Sequence, residues 1–176
     1  MIHPIHLYGD PMLNQKSMDI PTNFPLNQLH DLINDMYETM HKANGIGLSA
    51  IQIGFPFRIF IIEAKKDNFH IRKEFINPVI KSTKGSIKFS EGCLSVPGLT
   101  STVERPESIV ISYLDKNLNT VEESFDGIAA RIIQHEYDHL EGLLFIDIIN
   151  FMWKQALEPS LQSIKRREIE VSYMYK

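Results

Sequence analysis

Apolar positions recur along the chain with two different spacings, and these divide it into elements. Between Leu26 and Lys42 they fall at Leu29, Ile33, Met36, Tyr37 and Met40, a helical period that predicts an amphipathic helix. Asn23 or Asn27 stands ready to cap it, and Asn44-Gly45 to stop it. Before it, Gly9 to Pro25 reads as extended loop with turns. Arg58 to Glu63 is a short apolar, β-rich run suited to a buried strand. Weaker strand patterns occupy 75–80 and 86–89, followed by 101–104, 108–114 and 120–125. Lys116 to Asn119 joins the last two as an antiparallel hairpin. Asp126-Gly127 opens a second helix reaching about Glu141, where Gly142 ends it. Its Ile128, Ala129, Ile132, Ile133 and Leu140 lie on adjoining faces, which predicts a mostly buried helix. Residues 151–165 read as helix with Pro159 as a break or restart, and the alternating tail 168–173 as a late strand. The order predicts an α+β class: mostly antiparallel sheets around a central buried helix, with an N-terminal helix and a C-terminal helix/strand extension.

Composition narrows the setting. At 176 residues without internal repeat or long linker, residues 1–176 are expected to form one domain. A single cysteine, Cys93, excludes an internal disulfide and any zinc finger that needs two or more cysteines. A net charge of −4 leaves no electrostatic footprint for nucleic acid. No apolar stretch is long enough to span a bilayer, and the first residues carry no signal-peptide pattern. A cytoplasmic location is therefore expected, with no direct contact to nucleic acid or membrane.

The chemistry concentrates in His135-Glu136-Tyr137-Asp138-His139. Two histidines four apart on a helix stand one turn above each other, so their imidazoles can converge on one ion. Glu136 lies about 100° round the helix from His135, where it can reach a water at that ion and serve as general base and acid. A catalytic site of this kind usually has three protein ligands and an open position. The metzincin continuation would put its third histidine at Phe145, which cannot ligate. Glu158, Glu168 and Glu170 lie in a charged terminal segment that reads as solvated surface. Cys93, in the glycine- and proline-rich segment Glu91 to Gly98, is the favoured third ligand; the segment reads as an irregular loop. A cysteine nucleophile paired with one histidine is the competing use, and it leaves the histidine spacing unexplained. The Leu94 N–H, following the ligand, would point toward a substrate oxygen. Upstream, Gly45 to Gly54 matches a dinucleotide fingerprint only superficially, because it follows a helix and leads into a strand. Its anomaly is Gln52, an amide in an apolar run, usable as an oxyanion donor.

Together these segments resemble the peptide deformylases. The family's Gly-x-Gly-Leu-Ala-Ala-x-Gln corresponds to Gly45–Gln52, its Glu-Gly-Cys-Leu-Ser to Glu91–Ser95, and its Gln-His-Glu-x-x-His to Gln134–His139, in the same order. Ser49 departs from the usual alanine. Gly98-Leu99-Thr100 stands where some members carry a substrate-holding arginine, so no such role is assigned, with Arg105 or Arg131 as a candidate substitute. The resemblance implies a hydrolase that removes the formyl group from the N-terminal formyl-methionine of nascent polypeptides and releases formate. It implies Fe²⁺, replaceable by Zn²⁺ or Ni²⁺, held by Cys93, His135 and His139. Glu136 would be the general base and acid, and Gln52 and the Leu94 N–H the oxyanion donors. The Gly47 backbone would pair with extended substrate. Helix spacing adds Ile128 and Ile132, with Ile46 opposite, as an apolar slot for methionine. Transient proximity to the ribosome would follow from such a substrate. The alternative is a zinc metallopeptidase using the same helix.

Overall fold

Successive side chains of a strand point to opposite faces, so the run Ile59-Phe60-Ile61-Ile62 needs apolar cover on both sides. The fold provides it. The computed structural model describes residues 1–66 and 69–176, apart from the side chains of Lys66 and Phe69. In chain order its elements are α1 (Leu26–Lys42), β1 (Gly47–Ser49), β2 (Ile59–Lys66), β3 (Phe69–Lys84), β4 (Ile87–Cys93), β5 (Val96–Arg105), β6 (Ser108–Leu114) and β7 (Thr120–Asp126). The helices α2 (Gly127–Leu140), α3 (Phe145–Ile148) and α4 (Phe151–Lys165) complete it. Five strands form one sheet in the order β1-β2-β3-β6-β7, and β4 and β5 form a separate ribbon. The strand pairs within both are antiparallel. Ile59 and Ile61 pack with Leu29, Met36 and Met40 of α1. Phe60 and Ile62 pack with Ala130 and Ile133 of α2. The large sheet is thus covered on both faces, and all four residues of the run are fully buried. The chain has the α+β class expected, with antiparallel sheets and a few helices.

Several local expectations are corrected. Neither asparagine caps α1: Pro25 takes the N-cap position, and its carbonyl accepts the Leu29 N–H at 3.1 Å. The left-handed residue after the helix is Asn44 rather than Gly45. The two weak strand signals around Pro78 merge, because β3 absorbs the proline at a bulge where Asn77 has φ 47°. The Asn77 amide also holds both polar groups of the Ile20 backbone, pinning the N-terminal loop to the sheet. Pro159 does not break α4. Gln155, whose carbonyl loses its helical partner to the proline, is exposed, so water can satisfy it. The tail forms no strand, only a single parallel bridge between Tyr175 and Ile5. Ile5 is itself an isolated bridge, which leaves no ladder to extend. Cys93 is the last residue of β4, at a two-residue turn back to Val96, rather than part of an irregular loop. The register shifts between Gly92 and Cys93, and Gly98 (φ 74°) lies in the stretch of β5 that this shift leaves unpaired, so the glycines there serve a bulge. Among the described residues, no helix is long and apolar enough to cross a membrane.

Candidate active site

Helix α2 begins at Gly127 and ends at Leu140, and Gly142, with φ 75°, then turns the chain away. A side chain at Gly142 would meet the Asn14 backbone at 2.7 Å, so the exit requires glycine. Most of the helix is buried, including Arg131, His135, Glu136 and His139. His135 and His139 stand edge to face, 5.1 Å between ring centres. The end of β4 brings Cys93 to them, with its sulfur 3.3 Å from His139 Nε2. One donor atom from each of Cys93, His135 and His139 lies within 4.8 Å of the others. A thiol and two imidazoles converging at this distance suit a transition-metal ion.

Glu91 orients this cluster. Its carboxylate accepts Arg105 Nε at 2.6 Å and Nη2 at 2.9 Å, Arg131 Nη1 at 2.7 Å, and His135 Nδ1 at 3.0 Å. Burial alone would raise its pKa, but the His135 and Arg105 contacts hold it well below the usual carboxylate range. An ionised carboxylate only accepts, so His135 donates through Nδ1, and its Nε2 is the nitrogen left to face Cys93. Burial opposes a charge on His135, yet Cys93 and Glu91 outweigh it and draw its pKa up, so the spot favours positive charge. At His139, burial and then His135 push the pKa well down, which favours the neutral imidazole a metal requires. Its Nδ1 is buried and has no partner among the described residues. The donor set therefore fits a divalent cation.

Glu136 is 4% exposed and sits against the edge strand β1. A Cβ at Gly47 would come within 2.9 Å of Glu136 Cδ, so only glycine lets the strand approach this closely. Ser49 Oγ lies 2.8 Å from Glu136 Oε2 and 2.9 Å from its carbonyl oxygen. Burial pushes the Glu136 pKa up to about 7, with His135 and Ser49 pulling against it. Gln52 is fixed from both ends. Its Oε1 accepts the Ser49 N–H at 2.8 Å, and its Nε2 donates to Ser95 Oγ at 3.0 Å while lying 3.6 Å from the Cys93 sulfur. The Leu94-Ser95 turn is tied further by Tyr8 N–H on the Ser95 carbonyl (2.7 Å) and Tyr173 Oη on the Leu94 carbonyl (2.6 Å). Among the described residues, no acceptor pairs with the Leu94 N–H.

These groups open into a cleft of about 750 Å³. Its lining includes Ile46, Gly47, Gln52, Cys93, Leu94, Ile128, Ile132, His135 and Glu136, while His139 lies behind it, 1% exposed. The structure thus brings the expected metal ligands, general base, oxyanion donors and apolar slot residues to one place.

Comparison with known proteins decides the family. The polypeptide deformylase family profile matches residues 2–155. The chain belongs to the polypeptide deformylase family. It is an enzyme of that family. A peptide deformylase of Christiangramia forsetii is 42% identical over 187 residues, covering 98% of this chain and 94% of the relative. One of Cytophaga hutchinsonii is 40% identical over 181 residues, covering 100% of this chain and 97% of the relative. Among solved structures, the Thermus thermophilus peptide deformylase superposes with a TM-score of 0.87 at 35% identity, over 95% of this chain and 99% of that one. Membership favours deformylase chemistry over the metallopeptidase alternative.

Against this family background, two features escape a reading of the sequence. Glu91 stands out there only as part of a motif; the one hint of a buried anionic partner is Arg131, set among the apolar Ala129, Ala130, Ile132 and Ile133. Arg105 and Arg131, the two arginines open to a substrate-holding role, are instead buried on Glu91.

Proposed function

We propose that this chain hydrolyses the formyl amide of N-terminal formyl-methionine on newly made polypeptides, releasing formate and a free amine. The observation that carries this reading is the buried Glu136 carboxylate beside the Cys93, His135 and His139 cluster, inside a cleft with an open strand edge. Cys93, His135 and His139 would hold a divalent cation (Fe²⁺, replaceable by Zn²⁺ or Ni²⁺), which would supply Lewis acidity to the reaction. Glu136 takes a proton from the attacking water and delivers it to the amine as the formyl C–N bond breaks. The water oxygen leaves in formate. A pKa near 7 suits a group that must do both.

Gln52 Nε2 and the Leu94 N–H donate to the oxygen that gains negative charge at the carbonyl. Both are held before substrate arrives, so little reorganisation is needed. The Gly47 backbone on the free edge of β1 pairs with the extended peptide as an added strand. Ile46 and Ile128, both partly exposed, and the buried Ile132 take the methionine side chain. Such a substrate puts the work in the cytoplasm, close to the translating ribosome.

The test is formate release from a formyl-Met peptide under anaerobic conditions, with Fe²⁺ and, for comparison, Zn²⁺. Glu136→Ala should abolish release while metal remains bound. Turnover retained in that variant would mean that Glu136 is not the general base and acid.

A further inference from the structure

After α4 the chain crosses to the mouth of the cleft. Two backbone bonds, Ile5 N–H to the Met174 carbonyl (2.9 Å) and Lys176 N–H to the Ile5 carbonyl (3.0 Å), fasten its end. Tyr173 Oη fastens its middle to the Leu94 carbonyl. Between α4 and these anchors, Glu170, Val171, Ser172 and Tyr173 line the cleft.

The charges around this opening are unequal. Glu91 and Arg131 also line it, but they are buried and paired with each other. His135 and Glu136 lie at its base. On another part of the rim, Gly98-Leu99-Thr100 carries no charge. Arg166 neutralises Glu168 at 2.9 Å. Glu170 is exposed, and among the described residues it forms no ion pair. The rim therefore presents one uncompensated carboxylate and, among its described residues, no free cation. A cleft of this volume falls in the range of about 300–1,000 Å³ that holds a drug-sized ligand, so it accommodates a peptide beyond its first residue. Each extended residue advances about 3.3 Å, so the residues after methionine can reach the part of the lining that the tail supplies.

We infer that the C-terminal tail forms an outer subsite of this cleft, and that Glu170 makes it favour peptides with a basic side chain shortly after the methionine. The inference rests on the deformylase reading above. A carboxylate at the rim attracts Lys or Arg and repels Asp, Glu or a nearby free C-terminus. Being solvent-exposed, the effect is moderate and weakens with salt.

The experiment measures formate release by the full chain on amidated formyl-Met-Ala-x-x peptides in which x is Lys, Gln or Glu. The natural sequence should rank them Lys, Gln, Glu in kcat/KM, with about a fivefold span between the extremes. Glu170→Gln should flatten the order, Glu170→Lys should reverse it, and 0.5 M salt, roughly three times the physiological ionic strength, should compress it. The ratio between peptides is the readout, because damage to the fold or loss of metal lowers all three alike. Equal rates with the natural sequence, or a Lys preference kept in Glu170→Lys, would overturn the subsite. Formate from none of the peptides would overturn the deformylase reading itself, and the subsite with it.

Discussion

On its inner side the cleft is built by α2, β1 and the end of β4, where one carboxylate, Glu91, joins Arg105, Arg131 and His135 in a buried network. On its outer side it is built by a tail joined to the rest by one bridge, one tyrosine hydroxyl and the packing of Ile169, Tyr173 and Tyr175 on the core. The inner wall is over-determined. His135 is oriented by Glu91, and Glu136 is confined by Gly47 and Ser49. The outer wall has few restraints and partly exposed side chains. Groups that must hold a metal and move a proton need positions fixed to a fraction of an ångström. Groups that meet varied peptide sequences do not, so differences in substrate preference should arise from the outer wall.

The largest effect should come from Glu91→Ala. It removes the carboxylate partner of the buried Arg131 and leaves Arg105 with Asp138 alone, a change of about 3 kcal/mol in stability. It also frees the His135 ring, so metal content should fall. Urea unfolding and metal analysis measure the two. The same carboxylate predicts an acid sensitivity. Its folded pKa lies below the unfolded value near 4.5, so its contribution is fully present above that pH and is lost as pH falls toward the folded value. Glu91→Gln should flatten that part of the acid-unfolding curve. A variant as stable as the natural chain, with an unchanged acid slope, would show that the inner wall does not depend on this network.

What is legible in the sequence divides along the same line. The two histidines and Glu136 are readable because a helix fixes the geometry of residues four apart, and the buried strand at Ile59–Ile62 because an apolar run of that length leaves few alternatives. Glu91 is not readable, since its partners stand 14, 40 and 44 residues away and no local period connects them. The tail alternates like a strand without being one, because alternation states a preference but not whether an edge is there to pair with. Pro159 signals a break that does not occur, because local rules do not record that a free carbonyl at an exposed site costs little.

A smaller change tests the inner wall more finely. Gly47→Ala places a methyl group against the Glu136 carboxyl, which has little room to move. Displacing a reacting group by about an ångström costs on the order of 10²-fold in rate. The expected result is a loss of that size in kcat with metal content preserved. Formate release at the natural rate would mean that Glu136 tolerates a shift its packing resists.

The smallest effect should come from the hydrogen bond that ties the outer wall to the reacting end of the cleft. Burial pushes the Tyr173 pKa up to about 12, so the hydroxyl keeps its proton and donates to the Leu94 carbonyl at neutral pH. Tyr173→Phe removes that bond, worth about 1 kcal/mol, while the Tyr175 bridge still holds the tail. Leu94 also supplies the N–H proposed as an oxyanion donor, so loosening it should lower kcat about fivefold and leave KM nearly unchanged. The ranking of Lys, Gln and Glu peptides should survive, because Glu170 remains on the rim. A Tyr173→Phe variant that loses the ranking and keeps kcat would mean that the hydroxyl serves to place the tail. Loss of kcat with the ranking intact would mean that it serves the turn, and would separate two tasks of one short segment, positioning a catalytic backbone group at Tyr173 and choosing the peptide at Glu170.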